Sequence, residues 1–295
     1  MDILVTTSQG LERITKYSRQ RLLSGNGIYY GLTWDGSSIY VAERMHFGPE
    51  ENLHERIAVY SPGFDLQHVI RTPFRLHDLH ALFYHPDEEN LYAANAGKNQ
   101  ILVWNRGKSG GEHPTGVLPW EVLTSQESKP QNRDINHVNS VWWDTKNQRM
   151  YIVEHNRGES RVVVTDQTYK PIDIMHLGRE AHDAVLVDGR VLTCSSREGA
   201  LIEYDPLTRR KTRMVKFGGS YYPRGLAVTE DRIYVGLTAF NPQRGIRNTG
   251  TAKVLVLNRD METVRSIRIP GAGQVLAIRA ARGDLAHNGL DFPEE

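Results

Sequence analysis

The sequence predicts an all-β fold, a six-bladed β-propeller of four-stranded antiparallel blades that forms a single domain over residues 1–295. Short runs rich in valine, isoleucine and tyrosine, bounded by turn residues, indicate strands throughout. The same phrase of runs recurs about every fifty residues. The sixth copy of that phrase is divided between the two ends of the chain. No comparable segment has sustained helical periodicity.

The repeated phrase has a first apolar run, a turn with Asp, Asn or Gly, a second run, a short polar loop and a third run. It begins at GLTWDG (31–36), ALFYHPDEEN (81–90), SVWWDTKNQ (140–148), AVLVDGR (184–190) and GLAVTEDR (225–232). Fourth strands are expected at LQHVIR (66–71), KPIDIMHL (170–177), KTRMVKF (211–217) and VRSIRIP (264–270). This pattern is typical of a ring of small antiparallel sheets.

The last copy has only its first strand, QVLAIRA (274–280), before the chain ends. Its three missing strands are supplied by DILVTTS, LERITKYS and RLLSG at the N-terminus. Blade six is therefore expected to be split between residues 1–25 and 271–295, and its N-terminal strands pair with the C-terminal strand to close the ring. A sandwich or an open stack of sheets would explain the strands but not this division.

Charge balance and hydropathy narrow the classes of possible partner. Lys plus Arg number 36 against 35 for Asp plus Glu, so we expect neither a nucleic acid nor an anionic membrane surface as partner. No stretch approaches the roughly 18 apolar residues of a membrane span, and the N-terminus lacks the pattern of a signal peptide. Cys194 is the single cysteine, which excludes an intrachain disulfide. We expect a cytoplasmic protein.

The residues just before each first strand should surround one mouth of the central channel. Four of the chain's 12 histidines fall there, on three successive blades: His77, His80, His137 and His182. Histidine is the commonest ligand of divalent transition metals, and three histidines with an open position are typical of catalytic zinc-type sites. The sequence thus predicts bound zinc, manganese or iron. Because His77 and His80 are three apart, only one should face the channel.

Other polar residues are expected at the same mouth. Carboxylates that could hold the second ring nitrogen of a ligand histidine are Asp78, Glu154, Glu180 and Asp183. The predicted substrate pocket comprises Asn136, Asn139, Asp183, Glu43, His155 and Arg244. Arg244 belongs to AFNPQRGIRNTGT, one of two long loops expected to rise on this face, the other being RMHFGPEENLHE.

Two resemblances to known propellers add to these expectations. The phrase YYPRGLAVTEDRIYVG from Tyr221 resembles blades of the NHL-repeat and gluconolactonase-like group. The histidines on three blades are similar to those of the peptidyl-hydroxyglycine amidating lyases. That second resemblance implies a zinc held by His80 or His77 with His137 and His182, a base at Tyr222 or Tyr30, and a substrate clamp at Arg224. The gluconolactonase pattern implies instead calcium or magnesium at Glu43 or Glu154, Asn139 and Asp183, which would leave the histidines without a role.

The sequence therefore favours a metal-dependent lyase or hydrolase acting on a small polar substrate, with a tyrosine or Glu154 moving the proton. One alternative is a pocket without metal, in which the same polar side chains bond backbone groups and water. The other is a non-catalytic propeller that binds a sugar, a peptide or a protein. Substrate, reaction and oligomeric state are left open.

Overall fold

Six small sheets are arranged in a ring. The computed structural model describes residues 1–25, 27–45, 54–70, 72–106, 114, 116–119, 134, 136–218 and 220–285, with the side chains of 116–119 and of Arg244 left out. Within these ranges, 24 strands form six four-stranded antiparallel sheets. The first strands of neighbouring sheets contact one another around a closed circle. The predicted six-bladed propeller is confirmed.

In chain order, the first three strands belong to blade six, the next twenty to blades one to five, and the last strand returns to blade six. They are β1 (Asp2–Thr7), β2 (Gly10–Thr15), β3 (Arg19–Ser24), β4 (Ile28–Trp34), β5 (Ile39–Met45), β6 (His54–Tyr60), β7 (Leu66–Ile70), β8 (Leu79–His85), β9 (Asn90–Asn95), β10 (Gln100–Asn105), β11 (Gly116–Pro119) and β12 (Val138–Asp144). They continue with β13 (Arg149–Glu154), β14 (Glu159–Thr165), β15 (Pro171–Arg179), β16 (Ala181–Val187), β17 (Arg190–Ser195), β18 (Ala200–Asp205), β19 (Arg210–Lys216), β20 (Tyr221–Val228), β21 (Ile233–Ala239), β22 (Ala252–Leu257), β23 (Thr263–Ile269) and β24 (Val275–Ala280). A 3₁₀ turn spans Ala96–Lys98 and a short helix, α1, spans Arg244–Arg247.

Blade one is β4–β7, blade two β8–β11, blade three β12–β15, blade four β16–β19 and blade five β20–β23. Blade six has the order β24-β1-β2-β3, with β1 antiparallel to β24 in the register Ile3↔Ala280. The pairing of the two ends of the chain, predicted from the divided repeat, is confirmed. Residues 286–295 lie outside the described residues.

The fourth strand of blade two, β11, was not predicted from the sequence. It has four residues and pairs with β10 in the register Gln100↔Pro119. A four-residue edge strand that ends in proline is too short to give a strand pattern of its own.

Aromatic side chains fill the spaces between blades. Trp143 is 2% exposed and contacts the rings of His85 and Tyr92 in blade two as well as Tyr169 in its own blade. Burial of such rings is the main source of stability where two sheets meet face to face. None of the helices in the described ranges is long and apolar enough to cross a membrane.

Candidate functional site

A bulge interrupts the first strand of every blade at one level of the channel. In β12 the register skips Asn139, and in β16 it skips Asp183. Similar shifts fall between Tyr29 and Leu32, between Leu79 and Leu82, between Pro223 and Leu226, and in the β1–β24 pairing opposite Leu276. A bulge leaves a residue outside the ladder and turns its side chain in a new direction. The ring of bulges therefore releases one or two residues per blade to the channel.

The released residues meet in one small central cavity. Its volume is about 10 Å³, room for about one water molecule. Residues from all six first strands line it: Tyr30, Gly31, His80, Ala81, Asn139, His182, Asp183, Arg224, Leu276, Ala277 and Arg279. The predicted residues Tyr30, His80, Asn139, His182, Asp183 and Arg224 are thus brought together.

Four histidine rings form a continuous row at the channel mouth, hereafter the histidine row. Ring centroids are 5.0 Å apart between His80 and His137, 5.0 Å between His137 and His155, and 5.1 Å between His155 and His182. A tyrosine ring contacts each end of the row. The ring centroid of Tyr30 lies 5.2 Å from that of His80, and the ring centroid of Tyr222 lies 5.6 Å from that of His182.

Backbone carbonyls fix the tautomers of the two end histidines. Nδ1 of His80 lies 2.8 Å from the carbonyl oxygen of Asp78, and Nδ1 of His182 lies 3.0 Å from that of Glu180. A carbonyl oxygen only accepts, so Nδ1 carries the proton in each ring. Nε2 then has the lone pair that can bind a metal. The sequence predicted that neighbouring carboxylates would hold the second ring nitrogen of each ligand histidine. For His80 and His182, backbone carbonyls hold that nitrogen instead.

The two central histidines have opposite tautomers. Nδ1 of His137 lies 2.9 Å from a carboxylate oxygen of Asp134, which assigns the proton to Nδ1 and leaves the lone pair on Nε2. In His155, by contrast, Nδ1 accepts a hydrogen bond of 3.1 Å from the backbone N–H of Arg157. Its proton is therefore on Nε2, and its lone pair is already used. Three of the four rings thus have their lone pair on Nε2, and His155 does not.

The environment keeps His80, His155 and His182 neutral. Burial lowers the pKa of His80 and His182 well below the usual value for histidine. Burial, helped by the nearby His137 and Arg224, lowers the pKa of His155 to about 3. A neutral imidazole is the form that binds metals, so at neutral pH no proton has to leave these rings first.

Asp78, His80 and His137 form a compact group of possible metal ligands. One ligand atom from each lies within 4.8 Å of the other two. Burial acts to raise the pKa of Asp78, but the Arg44 guanidinium outweighs it and holds that pKa well below its usual range. The carboxylate is therefore ionised, and it forms an ion pair with Arg44. His182 lies farther along the histidine row, beyond His155.

Several predicted site residues lie apart from this cavity. His77 is exposed, and its ring lies directly over Gly97, so it is His80 that faces the channel. Asn136 is buried in a reciprocal pair of hydrogen bonds with Asn99, both 3.0 Å long. The backbone of Arg244 begins α1, and its side chain lies outside the described residues.

Glu43 and Glu154 are parts of cross-strand ion pairs. Glu43 accepts a hydrogen bond of 2.7 Å from Arg56, its register partner on the next strand. Glu154 accepts one of 2.8 Å from Arg161, again its register partner. Each glutamate is almost fully buried, and neither lines the central cavity. They hold second and third strands together in blades one and three.

Sequence reasoning missed Arg279, which lines the cavity from β24. It is 5% exposed, and its Nε has no hydrogen-bond partner within the described part of the chain. Asn139, on the same cavity, likewise has an amide nitrogen without a partner there. The signal for Arg279 was present in QVLAIRA, because an arginine inside an apolar first strand must be buried near the channel.

Searches against known proteins agree with the fold. A chain in a crystal structure of a nidogen/laminin complex matches with a TM-score of 0.68 and 11% identity, over 94% of this chain and 97% of that one. The chain is a six-bladed β-propeller. A Bacteroides caccae protein of unknown function matches at 0.64 and 12%, over the same shares, and Kuenenia stuttgartiensis hydrazine synthase at 0.55 and 10%, over 84% and 68%.

No protein-family model and no curated protein matches the sequence. At these identities the structural likenesses show a shared fold and carry no chemistry, because one fold hosts many unrelated functions. A function must therefore be argued from the channel mouth itself.

Proposed function

We propose that this protein binds a divalent transition metal at the channel mouth and acts there as a lyase or hydrolase on a small anionic molecule. The observation that supports the proposal is the tautomer pattern of the histidine row. His80, His137 and His182 each have a proton on Nδ1 and a lone pair on Nε2, as metal-binding histidines do. Their partners hold the rings in place before any metal binds.

The donor set fits zinc, manganese or iron. His80, His137 and His182 would be the ligands through Nε2. Asp78 lies 3.8 Å from Nδ1 of His80 and 3.9 Å from Nδ1 of His137, so it would hold the protonated side of those rings. Calcium or magnesium is less well supported, because Glu43 and Glu154 are already bound to arginines. A metal at this place would supply a Lewis acid for an oxygen of the substrate.

Arg224 supports an anionic substrate. Its guanidinium lies 5.7 Å from the ring of Tyr30, and no carboxylate in the described ranges lies within ion-pair distance of it. A half-buried guanidinium that no carboxylate in the described ranges pairs with is suited to a two-pronged contact with the carboxylate of a ligand. We therefore assign Arg224 as the residue that orients the acidic group of the substrate.

Tyr222 is better suited to donate a proton than to accept one. Burial and the nearby Glu180 raise the pKa of its hydroxyl, so it stays protonated at neutral pH. The hydroxyl donates a hydrogen bond of 3.1 Å to Glu180. We propose that Tyr222, in contact with His182, is the proton donor. Tyr30 contacts both Arg44 and Arg224 and would position the latter.

We also infer that the blades are of the NHL or gluconolactonase-like type. This inference is supported by YYPRGLAVTEDRIYVG, which forms β20 and β21.

Metal-dependent turnover tests the proposed function. Protein stripped with a chelator and then reloaded with zinc, manganese or iron would be assayed on hydroxy acids and on lactones. We expect turnover only after reloading, and we expect Arg224→Met to raise KM by about tenfold or more, with partial rescue by Arg224→Lys. Equal turnover by stripped and reloaded protein would contradict metal dependence.

The third ligand can be assigned by a pair of variants. His182→Ala and Asp78→Asn would each be loaded with zinc, and the dissociation constant measured. The variant that removes the true ligand should bind zinc more weakly by about 100-fold or more. Removal of a residue that only holds a ligand histidine in place should weaken zinc binding by about 10-fold. Circular dichroism of each variant checks that the blades remain folded.

A further inference from the structure

A second cavity opens beside the histidine row, between blades four and five. Its volume is about 240 Å³, and three aromatic residues line it: Tyr221, Tyr222 and Phe240. The remaining lining is polar or small: Ser196, Arg197, Glu198 and Gly199. This volume is slightly smaller than the pockets of about 300 Å³ and more that hold whole drug-sized molecules. The cavity can therefore hold one ring of a ligand rather than a complete large ligand.

The aromatic walls offer ring faces instead of hydrogen bonds. The rings of Tyr222 and Phe240 have centroids 6.5 Å apart and planes inclined by 29°. The hydroxyl of Tyr222 is bonded to Glu180, and that of Tyr221 accepts a hydrogen bond from Lys253. Phe240 is 45% exposed, although its backbone is fixed by a hydrogen bond of 2.7 Å. The exposed ring of Phe240 therefore offers its face to a ligand in the cavity.

This cavity adjoins the proposed catalytic site. Tyr222 contacts Phe240 on one side and His182 on the other. Ser196, which lines the second cavity, has its hydroxyl oxygen 2.7 Å from Nδ1 of His182. Because that hydroxyl donates to the carbonyl of Pro223, it accepts the proton of His182. A molecule bound at Arg224 could therefore extend past His182 into the aromatic cavity.

We infer that this cavity is a subsite for an aromatic ring and that the substrate is a small aromatic carboxylic acid. The inference rests on the proposed function for the acidic end of the molecule. The ring stacks on Phe240 and Tyr222, and the carboxylate contacts Arg224. The hydroxyl of Tyr222 is engaged by Glu180 and that of Tyr221 by Lys253, so these walls present mainly their ring faces, which suits an aromatic ring.

Titration calorimetry with two probes tests the inference: 3-phenylpropanoate, which has the ring, and propanoate, which lacks it. The protein would be metal-stripped, so that binding at the aromatic subsite is measured apart from any metal. We expect 3-phenylpropanoate to bind at least tenfold more tightly than propanoate. Phe240→Ala should remove roughly tenfold of that affinity, the usual contribution of one stacked ring with its buried area.

Tyr17→Ala is the matched control, because Tyr17 is 88% exposed in the turn between β2 and β3 and should not affect binding. Equal affinity for the two probes, or unchanged binding by Phe240→Ala, would overturn the inference. So would binding of methyl glucoside, with the same Phe240 dependence, in place of 3-phenylpropanoate. If the ring probe binds as expected but no metal is found, the subsite stands and the metal-dependent function falls.

Discussion

His155, one of the two central rings of the histidine row, should make the protein sensitive to mild acid. It is 8% exposed and lies between His137 and His182. Burial lowers its pKa to about 3, whereas an unfolded chain has a histidine pKa of about 6.5. The unfolded chain therefore takes up a proton below about pH 6.5 that the folded chain does not accept until about pH 3. Stability is complete above that range and is lost as the pH falls through it.

The size of this effect follows from the two pKa values. Each proton bound only by the unfolded state lowers the free energy of unfolding by about 1.4 kcal/mol per pH unit. Integrated from pH 7 to pH 5, His155 alone costs about 2 kcal/mol. Burial lowers the pKa of His80 and His182 as well, so they add to the loss in the same direction. The total is large beside the 5–15 kcal/mol that ordinarily stabilises a domain.

Urea unfolding of metal-stripped protein at several pH values measures the effect. His155→Gln should lose about 2 kcal/mol less than the parent between pH 7 and pH 5, or about 0.7 M in midpoint at an m-value of about 3 kcal/mol/M. Above pH 8 the difference between parent and variant should be constant, which provides the control. If the two proteins lose the same free energy between pH 7 and pH 5, His155 is not held neutral and the reasoning is refuted.

Three further predictions concern the fold around the site. Gly31→Ala should destabilise the protein by about 1–3 kcal/mol, because its Cβ would lie 2.4 Å from the carbonyl oxygen of His80; Gly245→Ala, with open space around it, is the control in thermal unfolding. Trp143→Ala should cost about 3–5 kcal/mol in urea unfolding, and a loss below 1 kcal/mol would contradict its role between blades. Cys194 is fully buried and burial raises its thiol pKa, so Ellman's reagent should react only after denaturation; reaction in the native state would contradict this.

The blades could be predicted because their signals are local. Alternating runs, turn residues and a repeat of about fifty residues specify four strands and their connections without knowledge of neighbours. The divided sixth copy also specified the pairing of β1 with β24. A short edge strand such as β11 gives too little of this signal.

The site was predicted only in part. The register of a strand, and the side of the sheet on which a side chain lies, depend on contacts with other segments of the chain. Glu43 and Glu154 lie in strands that are buried on both sides, so sequence alternation does not tell which face each occupies. Their partners are Arg56 and Arg161 on adjacent strands, and Glu12 has the same relation to Arg21 in blade six. This repeated Glu–Arg pairing joins adjacent strands, whereas the sequence predicted Glu43 in the substrate pocket and Glu154 as a carrier of the proton.

The histidine tautomers could not be predicted at all. His155 differs from its neighbours because the backbone N–H of Arg157, two residues later in a turn, donates to its Nδ1. The bulges that aim Asn139 and Asp183 at the channel are likewise set by pairing with the next strand. Such details depend on contacts between segments, and no residue pattern within one segment encodes them.

The metal content of three purified proteins tests the central claim most directly. The parent, His137→Ala and His155→Gln would be expressed with zinc, manganese and iron supplied and examined by elemental analysis. The account predicts about one transition metal per chain in the parent and in His155→Gln, and none in His137→Ala, because His137 has its lone pair on Nε2 whereas the lone pair of His155, on Nδ1, accepts the Arg157 N–H. A parent without metal, or a loss of metal from His155→Gln equal to that from His137→Ala, would contradict it.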